Sequence, residues 1–168
     1  MDTQNIIGAI RGGLSQQGRL LKLDTPAGNN VLLPQRAIGR SRIGRDFTWT
    51  IDVVSTSGDV QLKTLIAQPV TLWIQQTDHS YRPHHGYVHT ARRLGGDGGL
   101  ISYQLACSSW MHFLRFRRDQ KYWQDKAADE IVSDVFNQHP QAQGMFRFVL
   151  SQPLPSRSYC RQDETDWN

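Results

Sequence analysis

His85 and His89 are the residues whose type and spacing first suggest chemistry. Four apart on a helix, they would share one face and could hold a metal. Their context is a strand, where positions 85, 87 and 89 share a face in any case. A zinc site needs a third or fourth ligand, and the chain has neither an H-E-x-x-H motif nor paired cysteines. The histidines read better as polar strand positions, with Gly86 letting a neighbouring backbone come close. Cys107 sits in an apolar strand, where a thiol behaves as a small hydrophobe. Cys160 precedes Arg161, which could lower its pKa, yet no histidine base is placed for it. No G-x-S-x-G elbow is present. Asp163, Glu164 and Asp166 are crowded together, unlike the separated carboxylates of a hydrolase cleft. The glycine-rich loop at 95–99 opens no helix and so matches no phosphate-binding fingerprint. No catalytic residue, cofactor or metal is expected.

Two charged stretches remain. Arg36, Arg40, Arg42 and Arg45 are interleaved with Gly39 and Gly44. They read as a solvated loop or as a contact for phosphate or an acidic partner, and form a candidate assembly surface on charge alone. Trp110, Phe113, Arg115, Phe116, Arg117 and Arg118 would be the patch of a small nucleic-acid-binding barrel. The low overall charge argues against that alternative, and the apolar members fit a core equally well.

The elements that must position these residues are mostly strands. Phe47, Trp49, Ile51 and Val53 alternate with Thr48, Thr50 and Asp52, a period of two in strand-favouring residues. Further strands are expected at 19–24, at 31–33 ending on Pro34, at 70–76 with Val70, Leu72 and Ile74 inward, and at 100–108. Residues 95–99 give the strongest hairpin signal. One helical turn falls at 60–67. After residue 112 the pattern changes. Residues 125–138 predict a helix with Ala128, Ile131, Val132, Val135 and Phe136 on one stripe and Asp125 as cap. Phe146, Phe148 and Leu150 predict one more strand. The fold class is thus mainly β, a barrel or sandwich with one helix. The domains read as an N-terminal arm (1–18), a first barrel (19–112) and a helix–strand segment opening an incomplete second subdomain (113–168).

Composition bounds the rest. Apolar residues are 38% of the 168, and 19 basic side chains against 15 acidic leave a net charge of +4. That bias permits an anionic partner without requiring one. The two distant cysteines fit a reducing compartment. No apolar run approaches the ~20 residues of a membrane span, and the N-terminus has no secretory pattern. The closing stretch, 159–168, reads as a strand end running into a first helical turn capped by Asp163, with Glu164 and Asp166 favoured by the helix dipole. So short a helix needs a partner or more chain.

Two motifs carry a family resemblance. Pro83-His84-His85-Gly86-Tyr87-Val88 resembles the F-H-G-x-V strand of the Vgr proteins, the spike components of type VI secretion systems. Residues 156–167 resemble that family's R-x-Y-C-x-Q-x-x-E-T-D signature through Arg157, Tyr159, Cys160, Gln162, Glu164, Thr165 and Asp166, with one residue instead of two between Gln162 and Glu164. The order of the elements between them also fits, and the resemblance covers roughly residues 20–168. Arg40-Ser41-Arg42-Ile43 departs from it, standing where many members carry an acid.

The resemblance implies a structural, non-enzymatic module similar to the hub of contractile phage tails. In that picture His85, Gly86 and Val88 and the closing signature are structural motif positions. Three chains would form a pseudo-sixfold ring on a hexameric tail-tube protein, alongside other spike or baseplate proteins and effectors. The expected location is the bacterial cytoplasm during assembly, then export through the type VI apparatus without a signal peptide. The chain would be the front part of such a spike.

Overall fold

The computed structural model describes residues 14–167. Most of the expected arm, with Ile6, Ile7 and Ile10, lies outside the described residues. The chain divides into two compact units, the first ending at Ser109 and the second beginning at Trp110. Among the described residues no helix is long and apolar enough to cross a membrane.

Period-two alternation builds the first unit. Strands β1 (Leu21–Asp24), β2 (Leu33–Arg40), β3 (Thr48–Ser55), β4 (Pro69–Gln75), β5 (Tyr81–Asp97) and β6 (Leu100–Ser108) form one antiparallel sheet in the order β1-β4-β5-β6-β3-β2. The inward residues of every strand meet in one core: Leu23, Ile51, Val53, Val70, Leu72, Val88, Leu105 and Cys107 are all buried. A 3-10 turn at Leu62–Leu65 contributes Leu65. Tyr103 is buried as well, and its hydroxyl donates to the Ser57 carbonyl at 3.1 Å. Burial of this kind stabilises by roughly 1.5–3 kcal/mol per large apolar side chain.

β5 is 17 residues long because it serves two neighbours. Its first half pairs with β4, from Gln75↔Tyr81 to Pro69↔Tyr87, and its second half with β6, from Tyr87↔Ser108 to Asp97↔Leu100. The β5–β6 register slips between Val88 and Thr90 and again between Arg93 and Gly95. Such bulges bend a strand and raise its twist, and here they curl the sheet. Gly98 and Gly99 close the hairpin with φ of 57° and 84°, the double positive φ of the tightest hairpin turns.

The sheet is a curled half-barrel rather than a closed one. Its edge strands β1 and β2 follow each other in the chain, but among the described residues no ladder joins them. β2 also corrects the expectation that Pro34 ends a strand. It runs on to Arg40 because it is an edge strand with an irregularity between Pro34 and Arg36, where a missing N–H is tolerated. Arg36 and Arg40 therefore lie on a strand, not a loop.

In the second unit, a 3-10 turn (Trp110–Arg115) precedes strand β7 (Lys121–Trp123), helix α1 (Ala128–Phe136) and strand β8 (Cys160–Gln162). The helix is shorter than its pattern. Asp125, with φ of 51°, does not cap it; the Ala127 amide donates to Glu130 Oε2 at 2.8 Å instead. Phe146, Phe148 and Leu150 form no strand. Phe146 stacks edge-on against Phe136, with centroids 5.0 Å apart, and Phe136 meets Trp110 at 4.9 Å. Aromatic packing thus replaces the ladder that alternation suggested.

At Gly86 an added Cβ would lie 2.9 Å from the Ser108 carbonyl oxygen, a backbone atom fixed by the β5–β6 pairing. Gly86→Ala is expected to destabilise the first unit by about 1–3 kcal/mol. A urea midpoint equal to that of the unsubstituted chain would show that the β6 end yields freely.

Candidate functional site

The closing signature and the segment 117–126 lie antiparallel in one unbroken register. Lys121↔Gln162, Tyr122↔Arg161 and Trp123↔Cys160 form the β7–β8 ladder. Isolated bridges Arg118↔Thr165 and Lys126↔Arg157 continue the same pairing at both ends. Alternation then sorts the signature. Gln162 is buried and Cys160 half-buried on one face, while Tyr159 and Arg161 face outward. Tyr159 stacks on Tyr122, with centroids 6.5 Å apart and planes 20° from parallel.

Among the described residues no helix opens after β8. Asp163 is bound by its neighbour, accepting from Arg161 Nε at 2.5 Å, rather than capping a turn. Asp166 instead becomes the centre of a buried polar cluster, its side chain 1% exposed. Its Oδ2 lies 2.6 Å from His139 Nε2 and 3.5 Å from Arg117 Nη1, and its Oδ1 accepts from Gln162 Nε2 at 2.7 Å. Its backbone N–H donates to the Arg117 carbonyl at 3.1 Å. Thr165 and Glu164 contribute main chain to the same clasp, the Glu164 carbonyl accepting from the Asp119 amide at 3.3 Å. Nearby, Asp134 accepts from Trp123 Nε1 and Lys126 Nζ, and Lys126 holds its carboxyl below the usual range.

The basic–aromatic patch expected over 110–118 is divided by these contacts. Trp110 and Leu114 are buried. Arg117 is committed to Asp119 and Asp166, and the Arg115 guanidinium lies 4.2 Å over the Trp167 ring. Phe116 and Arg118 remain exposed. A continuous stacking track for bases is absent from these residues, because their rings were needed for packing.

In the first unit, Gly86 and Val88 are buried in β5 while His85 is exposed. His85 Nδ1 lies 3.2 Å from Thr71 Oγ1, and its ring meets Tyr87 edge-on at 5.6 Å. His89 sits at the first register slip, which breaks the alternation that would align it with His85. Among the described residues no three His, Cys, Asp or Glu side chains gather as metal ligands do. Burial pushes the Cys107 thiol up to about 12, far from a reactive thiolate at neutral pH.

The four arginines are brought together. Arg36, Arg40, Arg42 and Arg45 line one groove of about 620 Å³ on the sheet's outer face, with Ile38, Ser41, Thr48 and Thr50. Sequence reasoning missed Arg92 and Gln104, which line it too. Arg92 Nε donates to Gln104 Oε1 at 3.0 Å, Gln104 Nε2 to Asp52 Oδ1 at 2.5 Å, and Arg36 Nε and Nη2 both to Asp52 Oδ2 at 2.7 Å. The Gln104 hydrogen bond, then Arg36, hold the Asp52 carboxyl below its ordinary value against the opposing effect of burial. A second hollow lies alongside, where Trp49 contacts the His84 ring at 4.7 Å and Gly39 leaves room for the Trp49 ring. Desolvation, then the Arg82 charge, push the His84 pKa down.

With fold and geometry in place, comparison with known proteins identifies the class: residues 40–168 match the phage tail baseplate hub (GPD) family, and the chain belongs to it. Its relatives include two type VI secretion system spike proteins of Pseudomonas aeruginosa. It is 32% identical to VgrG1b over 149 residues, which is 89% of this chain and 20% of that protein. It is 31% identical to VgrG1a over 147 residues, 88% of this chain and 23% of that protein. The chain therefore spans about a fifth of the length of these curated relatives. Among solved structures it is similar to an Escherichia coli component of the type VI secretion system that resembles the T4 bacteriophage tail proteins gp27 and gp5. The TM-score is 0.67 at 19% identity, over 90% of this chain and 39% of that one. The resemblance read from the two motifs and the mainly β tail-hub fold are both supported by these matches.

Two outcomes test the site geometry. Asp166→Ala would strand His139, Arg117 and Gln162 beside a cavity, and is expected to cost the second unit about 3–5 kcal/mol; hydrogen exchange of β7 and β8 amides reads it. Asp52 has a depressed folded pKa, so its stabilising contribution is present above the unfolded value of about 3.9 and fades as pH falls through the folded one. Thermal melts below about pH 4 should therefore decline more steeply for the unsubstituted chain than for Asp52→Asn.

Proposed function

We propose that this chain is the hub-forming part of a type VI secretion spike, an assembly module that performs no chemistry. Three copies form a ring that seats on a hexameric tail tube, and the ring passes the thrust of contraction onward to deliver effectors. It assembles in the bacterial cytoplasm and leaves through the apparatus. The observation that carries this reading is the match of residues 40–168 to the tail-hub family, supported by relatives that are spike proteins. The fold suits a mechanical part. The sheet's core is apolar and close-packed, and such interiors transmit strain with little compression. The signature residues serve it structurally in this reading: Gly86 and Val88 inside the sheet, and Arg157 through Asp166 as the clasp of the second unit.

Light scattering over a concentration series, alone and with a purified hexameric tube ring, tests the proposal. The expected result is a trimer that co-migrates with the ring. A monomer at every concentration that ignores the ring would overturn it.

A further inference from the structure

The arginine groove starts at β2 and crosses the outer face of the sheet to Thr48 and Thr50 of β3, Gln104 of β6 and Arg92 of β5, and β2 itself is an edge that no strand pairs on its outer side among the described residues. Edge strands are usually blunted. β1 is treated so: Gln16 turns its side-chain amide onto Leu23, donating from Nε2 to the carbonyl at 3.0 Å and accepting from the amide, as a neighbouring strand would. Among the described residues no such plug is seen on β2. Along one face it carries exposed Arg36, Ile38 and Arg40 at alternate positions, cation, apolar, cation.

The groove's charge is one-sided. Five arginines line it against one carboxylate, Asp46, which accepts from the Ser109 amide at 3.3 Å. Arg36 is neutralised by Asp52. Arg40, Arg42 and Arg45 make no ion pair among the described residues. Arg42 and Arg45 are held by a tight turn, with the Arg45 amide donating to the Arg42 carbonyl at 3.1 Å and Gly44 at φ 73°. Ile43, within that turn, is fully exposed. Guanidinium forks match carboxylates in pairs, and an apolar contact between them excludes a ligand that is charge alone.

We infer that the β2 edge and its arginine groove receive an extended acidic segment of a partner protein, added as a strand with carboxylates at alternate positions flanking an apolar residue. Main-chain bonds to β2 supply affinity, and Arg40, Arg42 and Arg45 beside Ile38 supply selectivity. The inference deepens the assembly reading and rests on it only in taking the partner to be a protein.

The probe is a labelled eight-residue peptide, the length of β2, alternating glutamate with valine or threonine, followed by fluorescence anisotropy against the whole chain. Its twin carries glutamine for glutamate, and a third version is N-methylated at alternate amides. The glutamate peptide is expected to bind, to weaken as salt rises, and to lose about tenfold or more on Arg40→Glu with Arg42→Glu, with circular dichroism and melting unchanged. The methylated peptide is expected to bind more weakly. Equal binding by the glutamine twin, indifference to the two substitutions, indifference to methylation, or preference for a single-stranded oligonucleotide would each overturn the inference. A monomeric chain that binds the peptide would sink the trimer and keep the groove; a trimer that ignores it would do the reverse.

Discussion

Everything in the first unit depends on β5 pairing with two strands in succession. A strand that hands over from β4 to β6 at Tyr87 must bend there, and the slip beside it at His89 provides the bend. Gly86 sits at the handover because the Ser108 carbonyl comes too near for a side chain. The H-G-x-V motif is therefore the sequence of a junction between two ladders. Without it the sheet would stay flatter, and the inward residues of β1 and β3 would not share one core.

The two units are held by different physics. The first is an apolar core with a single buried phenol, and its charged residues are arranged outside it. The second has few buried apolar side chains and relies on a buried carboxylate, an aromatic stack and a two-strand clasp. Breaking a buried charge pair is strongly destabilising, whereas exchanging both partners for apolar groups need not be. The second unit is accordingly tied to the identity of a few residues, and the first to the pattern of many.

That contrast explains what was legible in the sequence. The alternation of β3, the inward set of β4, the Gly98–Gly99 hairpin and the stripe of α1 are local, and all were readable. The partnership of Arg92 with Gln104 was not. Counting back from the hairpin turn pairs Arg92 with Leu105, and only the slip near Leu94 brings Gln104 opposite. Pro34 misled because proline ends central strands but not edges. Phe146, Phe148 and Leu150 misled because alternation over so few residues does not distinguish a ladder from an aromatic stack. Asp163 has the right type for a cap, but Arg161 two residues away claims its carboxylate. The arginines were found by charge, while the groove that unites them needed the sheet.

The clasp of the second unit has a consequence for chain length. Its register is fixed by pairs on both sides of the long excursion from Ala127 to Ser156, and residues 149–156 of that excursion are exposed and belong to no helix or strand. Closure entropy grows slowly with loop size, about 0.6 kcal/mol for each doubling. Extra residues there would lengthen the excursion without shifting a single pair of the clasp. That segment is a place where this hub can accept an inserted module while the ends that carry it stay in register.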